Sequence, residues 1–186
     1  LMRTYLAAPE REPGARPDNA RVVLTGSFCE QPPLALIKSV EMSGCYVVDD
    51  DFMLVTRWLL KEVPTDGDPL QELSKAFLHH SASTAAKYDA KREEKGVFLV
   101  RQVRTRGAEG VVFAAPSFCD PALLERPMLQ DVLGSNRIPY TAFKYAENTG
   151  QMAPIREQAG TFADSIKLWS DAAGDAPTPA PSAEVS

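Results

Sequence analysis

Two near-identical turns carry the residues best suited to chemistry: Gly26-Ser27-Phe28-Cys29-Glu30 and Pro116-Ser117-Phe118-Cys119-Asp120. Each offers a thiol, a hydroxyl and an acid within a few residues. A deprotonated thiol binds soft metals or attacks disulfides, and the first turn of a helix, rich in backbone N–H groups, favours that form. The second turn is the better placed, because Asp120-Pro121 reads as an N-cap followed by a proline at the first helical position. At the first turn, Pro32-Pro33 delay the helix.

Each turn follows a short β-branched or apolar run, Arg21-Val22-Val23-Leu24 and Gly110-Val111-Val112-Phe113. The pattern is strand, turn, helix, twice over. Further strands are expected at Cys45–Val48 and Ile138–Phe143. Helices are expected at Leu34–Met42, Phe52–Lys61, Pro69–His79, from Asp89 to Arg106, Pro121–Leu133 and Ile155–Trp169. Gly44 is read as the C-cap of the first helix, Pro64–Asp68 and Glu147–Gly150 as turns, and Ser81–Thr84 as loop. Leu34, Ile37 and Val40 or Met42 are expected to face the core, as are Val97, Leu99, Val100 and Val103, and Ile155, Phe162, Ile166 and Trp169.

Alternating strands and helices predict an α/β fold: an open, parallel, four-stranded sheet flanked by helices, flavodoxin- or Rossmann-like. In such sheets ligands bind beyond the C-terminal ends of the strands, where strand order reverses. With the first strand central, the reversal falls between the first and third strands, the two that deliver Cys29 and Cys119. Cys45 begins its strand instead, at the opposite edge, and reads as a buried core thiol.

The acids Asp49-Asp50-Asp51 fall at the functional edge, as in a phospho-receiver. However, that pattern needs acids where Cys29 and Cys119 stand, so Asp51 reads as the N-cap of the following helix. His79-His80 close an amphipathic helix, an ordinary place for a cationic side chain, with metal ligation as the alternative reading. Two thiols are too few for a structural zinc or an iron–sulfur cluster, which take about four protein ligands.

The chain has 186 residues and a net charge of −5, with acids and bases mixed along most segments. No clustered basic surface for nucleic acid is present, and no apolar run approaches the ~20 residues that span a bilayer. An odd count of three cysteines does not suggest a disulfide framework, and a cytoplasmic setting is expected. Residues 1–20 are expected to be a linker from a missing N-terminal region, 21–170 an α/β domain, and the Ala/Pro-rich 171–186 a disordered tail.

Three further phrases join Phe118-Cys119-Asp120-Pro121: Lys144-Tyr145-Ala146-Glu147-Asn148-Thr149-Gly150-Gln151, Arg156-Glu157-Gln158-Ala159-Gly160-Thr161-Phe162 and Phe77-Leu78-His79-His80-Ser81. Together they resemble the C-terminal region of the 2-hydroxyacyl-CoA dehydratase and benzoyl-CoA reductase family, and its reductase branch most. The resemblance implies a [4Fe-4S] cluster, a homologous reductase subunit as partner, ATP-hydrolysing iron–sulfur activator subunits, and an acyl-CoA substrate whose aromatic ring is reduced. It implies that Cys119 is a cluster ligand whose companions come from a missing N-terminal domain, and that Cys29 either ligates or lines the pocket. Ser27 and Ser117 would line the cofactor, and Glu30, His79, His80, Glu147 and Asn148 the substrate. Dehydration of a 2-hydroxyacyl-CoA is the alternative within the family. A metal-free dithiol module using Cys29 and Cys119 is the alternative outside it.

Overall fold

The β-branched run that starts the domain becomes the sheet's central ladder. A computed structural model describes residues 18–26, 32–51, 61–81, 95–146 and 152–174. Among them are strands β1 (Ala20–Thr25), β2 (Cys45–Asp50), β3 (Gly110–Pro116) and β4 (Tyr140–Tyr145). The helices are α1 (Leu34–Glu41), α2 (Pro69–His80), α3 (Lys95–Arg106), α4 (Asp120–Ser135) and α5 (Met152–Gly174). Strand order is β2-β1-β3-β4 and every pair is parallel, so the expected open α/β sheet and its reversal between β1 and β3 are both present.

Alternation along the strands sorts two cores. Val22, Leu24, Val112 and Ala114 face α1 and α5 through Leu36, Val40, Ile155, Phe162 and Ile166. Val23, Val111 and Phe113 face α3 and α4 through Leu99, Val100, Val103 and Leu133. Near-continuous apolar strands are what a sheet covered on both faces requires.

Local chemistry fixes the helix ends. Arg21 donates from Nε to Gly107 O at 2.9 Å and from Nη2 to Arg106 O at 2.8 Å, setting a cation on the last carbonyls of α3. Asp68 caps α2 by accepting from Gln71 N at 2.9 Å. Arg106 Nε pairs with Asp49 Oδ2 at 2.7 Å, and Gln102 Nε2 donates to Asp50 O at 2.9 Å, so α3 is tied to the C-terminal end of β2.

Several expectations need correction. β1 begins one residue early, at Ala20, whose N–H donates to Gly44 O at 2.9 Å. In α1, which starts at Leu34 as expected with Pro33 as its N-cap, Leu34 and Met42 are exposed and the core face is Leu36, Ile37 and Val40. Met42 is the C-cap of α1, and Gly44 follows at φ 94°. α2 extends through His80. Val97 faces solvent. β4 begins at Tyr140, not Ile138: Ile138 N donates to Leu133 O at 3.0 Å, closing α4, and Pro139 has no N–H for the ladder. α5 starts at Met152 and continues through Ala172-Ala173 to Gly174, so the first four residues expected in the tail are helical. Residues 52–60 and 89–94, the Glu147–Gly150 turn, 82–84 of the expected loop, residues 1–17 of the expected linker, the rest of the tail and the Trp169 side chain lie outside the described residues. No helix among the described residues is long and apolar enough to cross a membrane.

Candidate functional site

β3 outruns β1. Thr25, the last residue of β1, pairs with Phe113, whereas β3 continues to Pro116 beside Tyr145 of β4. The chain leaves the sheet at Gly26, in the left-handed region at φ 104°, close over the β3 backbone. A Cβ there would stand 3.2 Å from Ala114 O, so the first turn departs from a position that needs glycine.

The second turn is held by backbone and hydroxyl bonds. Ser117 N and Oγ both donate to Tyr145 O, at 2.8 and 3.0 Å, and Cys119 N donates to Pro116 O at 3.0 Å. Cys119 is therefore the N-cap residue, its carbonyl accepting from Leu123 N at 3.1 Å. Asp120 and Pro121 open α4 at its first two positions, one place later than the expected cap-and-proline assignment. The Cys119 side chain is buried against Ala115, Ala122 and Leu123, with 5% of its surface exposed. Its neighbour Phe118 is 93% exposed.

Between β1 and β2 lies a feature the sequence did not announce. Thr25 Oγ1 donates to Asp51 Oδ2 at 2.6 Å, both side chains are buried, and Asp51 N donates to Leu24 O at 3.2 Å. A register shift between Val22 and Val23 moves the pairing from Val47 to Asp49, and this aligns Asp51 with the end of β1. A threonine at a strand end and an acid at the next strand's end are visible signals. Their meeting depends on the bulge, which is not. Asp51 thus braces the sheet edge, and its expected role as a helix cap concerns residues outside those described.

The other site residues divide as follows. Ser117 joins Cys119 at the β3 edge, with its O–H committed to Tyr145. His79 is exposed and His80 half-buried at the end of α2. Ser27, Cys29, Glu30, Glu147 and Asn148 lie outside the described residues. Cys45 is buried at the opposite edge, its Sγ 3.7 Å from Ala159 O. Burial pushes its thiol from 9.0 up to about 11, against the lowering pull of the Lys167 ammonium. It is an inert core thiol.

No group of three or more His, Cys, Asp and Glu side chains suited to a metal ion forms among the described residues. A cluster needing about four protein ligands therefore does not fit those residues alone. Among the described residues, Cys119 is the thiol that stands at the C-terminal edge of the sheet.

Comparison with known proteins locates this architecture. The family model described as 2-hydroxyglutaryl-CoA dehydratase, D-component, matches residues 1–166. A benzoyl-CoA reductase subunit from Thauera aromatica is 68% identical over 170 residues, covering 91% of this chain and 44% of that protein. The (R)-phenyllactyl-CoA dehydratase beta subunit of Clostridium sporogenes is 26% identical over 149 residues, covering 80% of this chain and 38% of that protein. The (R)-2-hydroxyglutaryl-CoA dehydratase beta subunit of Acidaminococcus fermentans is 24% identical over 157 residues, covering 83% and 41% respectively. The chain spans less than half the length of these relatives.

Proposed function

Since the chain belongs to the 2-hydroxyglutaryl-CoA dehydratase D-component family, we propose that it forms part of an acyl-CoA reductase subunit of the benzoyl-CoA reductase type. The observation that carries this reading is the gap between 68% identity to the reductase subunit and 26% or 24% to the dehydratase subunits. The reaction proposed is the ATP-coupled, low-potential reduction of an aromatic acyl-CoA ring to a cyclic diene, which takes up two electrons and two protons. Partners would be a homologous subunit and an ATP-hydrolysing iron–sulfur activator.

A [4Fe-4S] cluster would supply the one-electron chemistry. Cys119 is the proposed ligand from the described residues, with the others, Cys29 as a candidate among them, coming from outside. The chain's own contribution is positional. Ser117 fixes the β3–α4 turn to β4, and the Thr25–Asp51 bond fixes the end of β1, so the sheet edge is braced on both sides of the strand-order reversal. Ser27 is proposed beside the cofactor, and Glu30, His79, His80, Glu147 and Asn148 on the substrate side. The chain is proposed to act as an α/β domain of a longer subunit.

The test is anaerobic iron–sulfide reconstitution of the full-length subunit and its Cys119→Ser and Cys45→Ala variants. Absorbance, electron paramagnetic resonance and iron content should collapse in Cys119→Ser and persist in Cys45→Ala. An intact cluster in a folded Cys119→Ser protein would remove the ligand assignment. An iron-free wild type with Cys29 and Cys119 oxidised together would favour the dithiol module instead. Product analysis of the assembled enzyme separates the two family chemistries: a cyclic diene from benzoyl-CoA marks the reductase, an enoyl-CoA from a 2-hydroxyacyl-CoA the dehydratase.

A further inference from the structure

α4 is apolar on two sides. Its inner side, Ala122 and Leu133 with Leu129 and Val132, packs toward the sheet. Its outer side carries Leu124, 79% exposed, and Met128, 49% exposed, with the exposed Pro127 between them. Residues at i, i+3 and i+4 share one face of a helix, so these three form a continuous apolar stripe. Phe118, 93% exposed, adds an aromatic ring at the turn before the helix, and the exposed Asp131 ends the stripe one turn beyond Met128. Single exposed apolar residues are ordinary, but grouped ones beside a candidate site mark a surface that something covers.

We propose that this outer face of α4, Phe118 with Leu124, Pro127 and Met128, is where the remainder of the full-length subunit packs. Two observations choose that occupant over a second copy or a separate subunit. More than half of the reductase relative has no counterpart in this chain, which covers 44% of it, so a full-length subunit of that kind has a body of comparable size available to cover the face. The exposed Phe118, next to Cys119 in the turn that opens α4, also puts apolar surface at the edge that the proposed site needs completed. A domain seated on α4 would bring its own side chains to the thiol's turn. The inference rests on the reading that the chain is part of a longer subunit, and it holds whichever metal or redox group the edge serves.

The test places the photoreactive residue p-benzoylphenylalanine at Leu124, and separately at Met128, in the full-length subunit, with Leu34 as the control. Leu34 is 82% exposed on α1, a helix that packs on the other face of the sheet. After illumination, cross-linked peptides are mapped by mass spectrometry, and circular dichroism confirms folding. Position 128 keeps the test alive if the variant at 124 fails to fold. Intramolecular links from either position to peptides outside these 186 residues, well above the Leu34 background, support the proposal. Links to a second copy or another subunit, or none above background, overturn it. Repeating the experiment in Cys119→Ser separates the two ideas. Intramolecular links without iron leave the docking surface standing and the ligand assignment supported, whereas iron lost without such links sinks the surface alone.

Discussion

Cys45 and Cys119 are both buried thiols, and they lie at opposite edges of the sheet. Cys45 opens β2 opposite Ala20, under α5, where burial holds the proton on sulfur up to about pH 11. The sign of the resulting pH dependence follows from linkage. Folding raises this pKa from 9.0 to about 11, so the folded state keeps the proton longer than the unfolded state. The stability contribution is complete below pH 9 and is lost as pH rises from 9 through about 11. The loss should be about 3 kcal/mol, taking ~1.4 kcal/mol per pKa unit. Urea unfolding at successive pH values should show this decline in wild type and a flatter profile in Cys45→Ala; equal slopes would refute it. At residue scale the sequence revealed at which edge Cys45 and Cys119 lie, because position within a strand decides that. It did not reveal the Thr25–Asp51 bond, since that contact depends on a one-residue register shift. It also placed the cap of α4 on Asp120, whereas the Cys119 carbonyl, one position earlier, already accepts the first helical bond from Leu123 N.

At the scale of elements, the α3–α4 pair depends on a close approach. A Cβ added at Gly96 would lie 2.6 to 2.7 Å from Val132 Cγ2, Cβ and Cγ1, well inside contact distance. Alanine in place of glycine ordinarily favours a helix by up to ~1 kcal/mol. Overpacking a filled core costs ~1–3 kcal/mol and should win here, because the obstructing atoms belong to a short, branched side chain that cannot swing aside. Gly96→Ala should therefore lower the urea midpoint without changing the slope, and Gly96→Ala with Val132→Ala should recover part of the loss. A stabilised single variant would show that α3 and α4 separate easily. Strand order was legible because apolar runs, turns and crossover lengths left few arrangements. The helix faces were less so: α1 begins where expected, yet it buries Leu36 and turns Leu34 outward, because Leu34, Leu36, Ile37 and Val40 offer two overlapping apolar faces. β4 slid two residues because Pro139 cannot donate and Ile138 is used to close α4.

For the whole molecule, two quantities must be reconciled: the roughly four ligands that the proposed cluster calls for, and the one thiol, Cys119, that the described residues bring to that edge. The same fold shows exposed apolar groups beside that thiol, and its relatives are more than twice as long as the segment they share with it. An edge with one buried thiol beside exposed apolar side chains fits the proposed composite site. The expected behaviour of the 186-residue chain alone follows. Given iron and sulfide anaerobically and then desalted, it should fold, as judged by circular dichroism, yet retain iron far below one cluster per chain. The full-length subunit treated in parallel should retain a stoichiometric cluster. Iron bound in full by the short chain would mean that its own residues complete the ligand set, and the composite reading would fail even with Cys119 correctly assigned. Poor retention by both proteins would instead count against the iron–sulfur assignment. The comparison thus distinguishes an error about where the ligands lie from an error about what they bind.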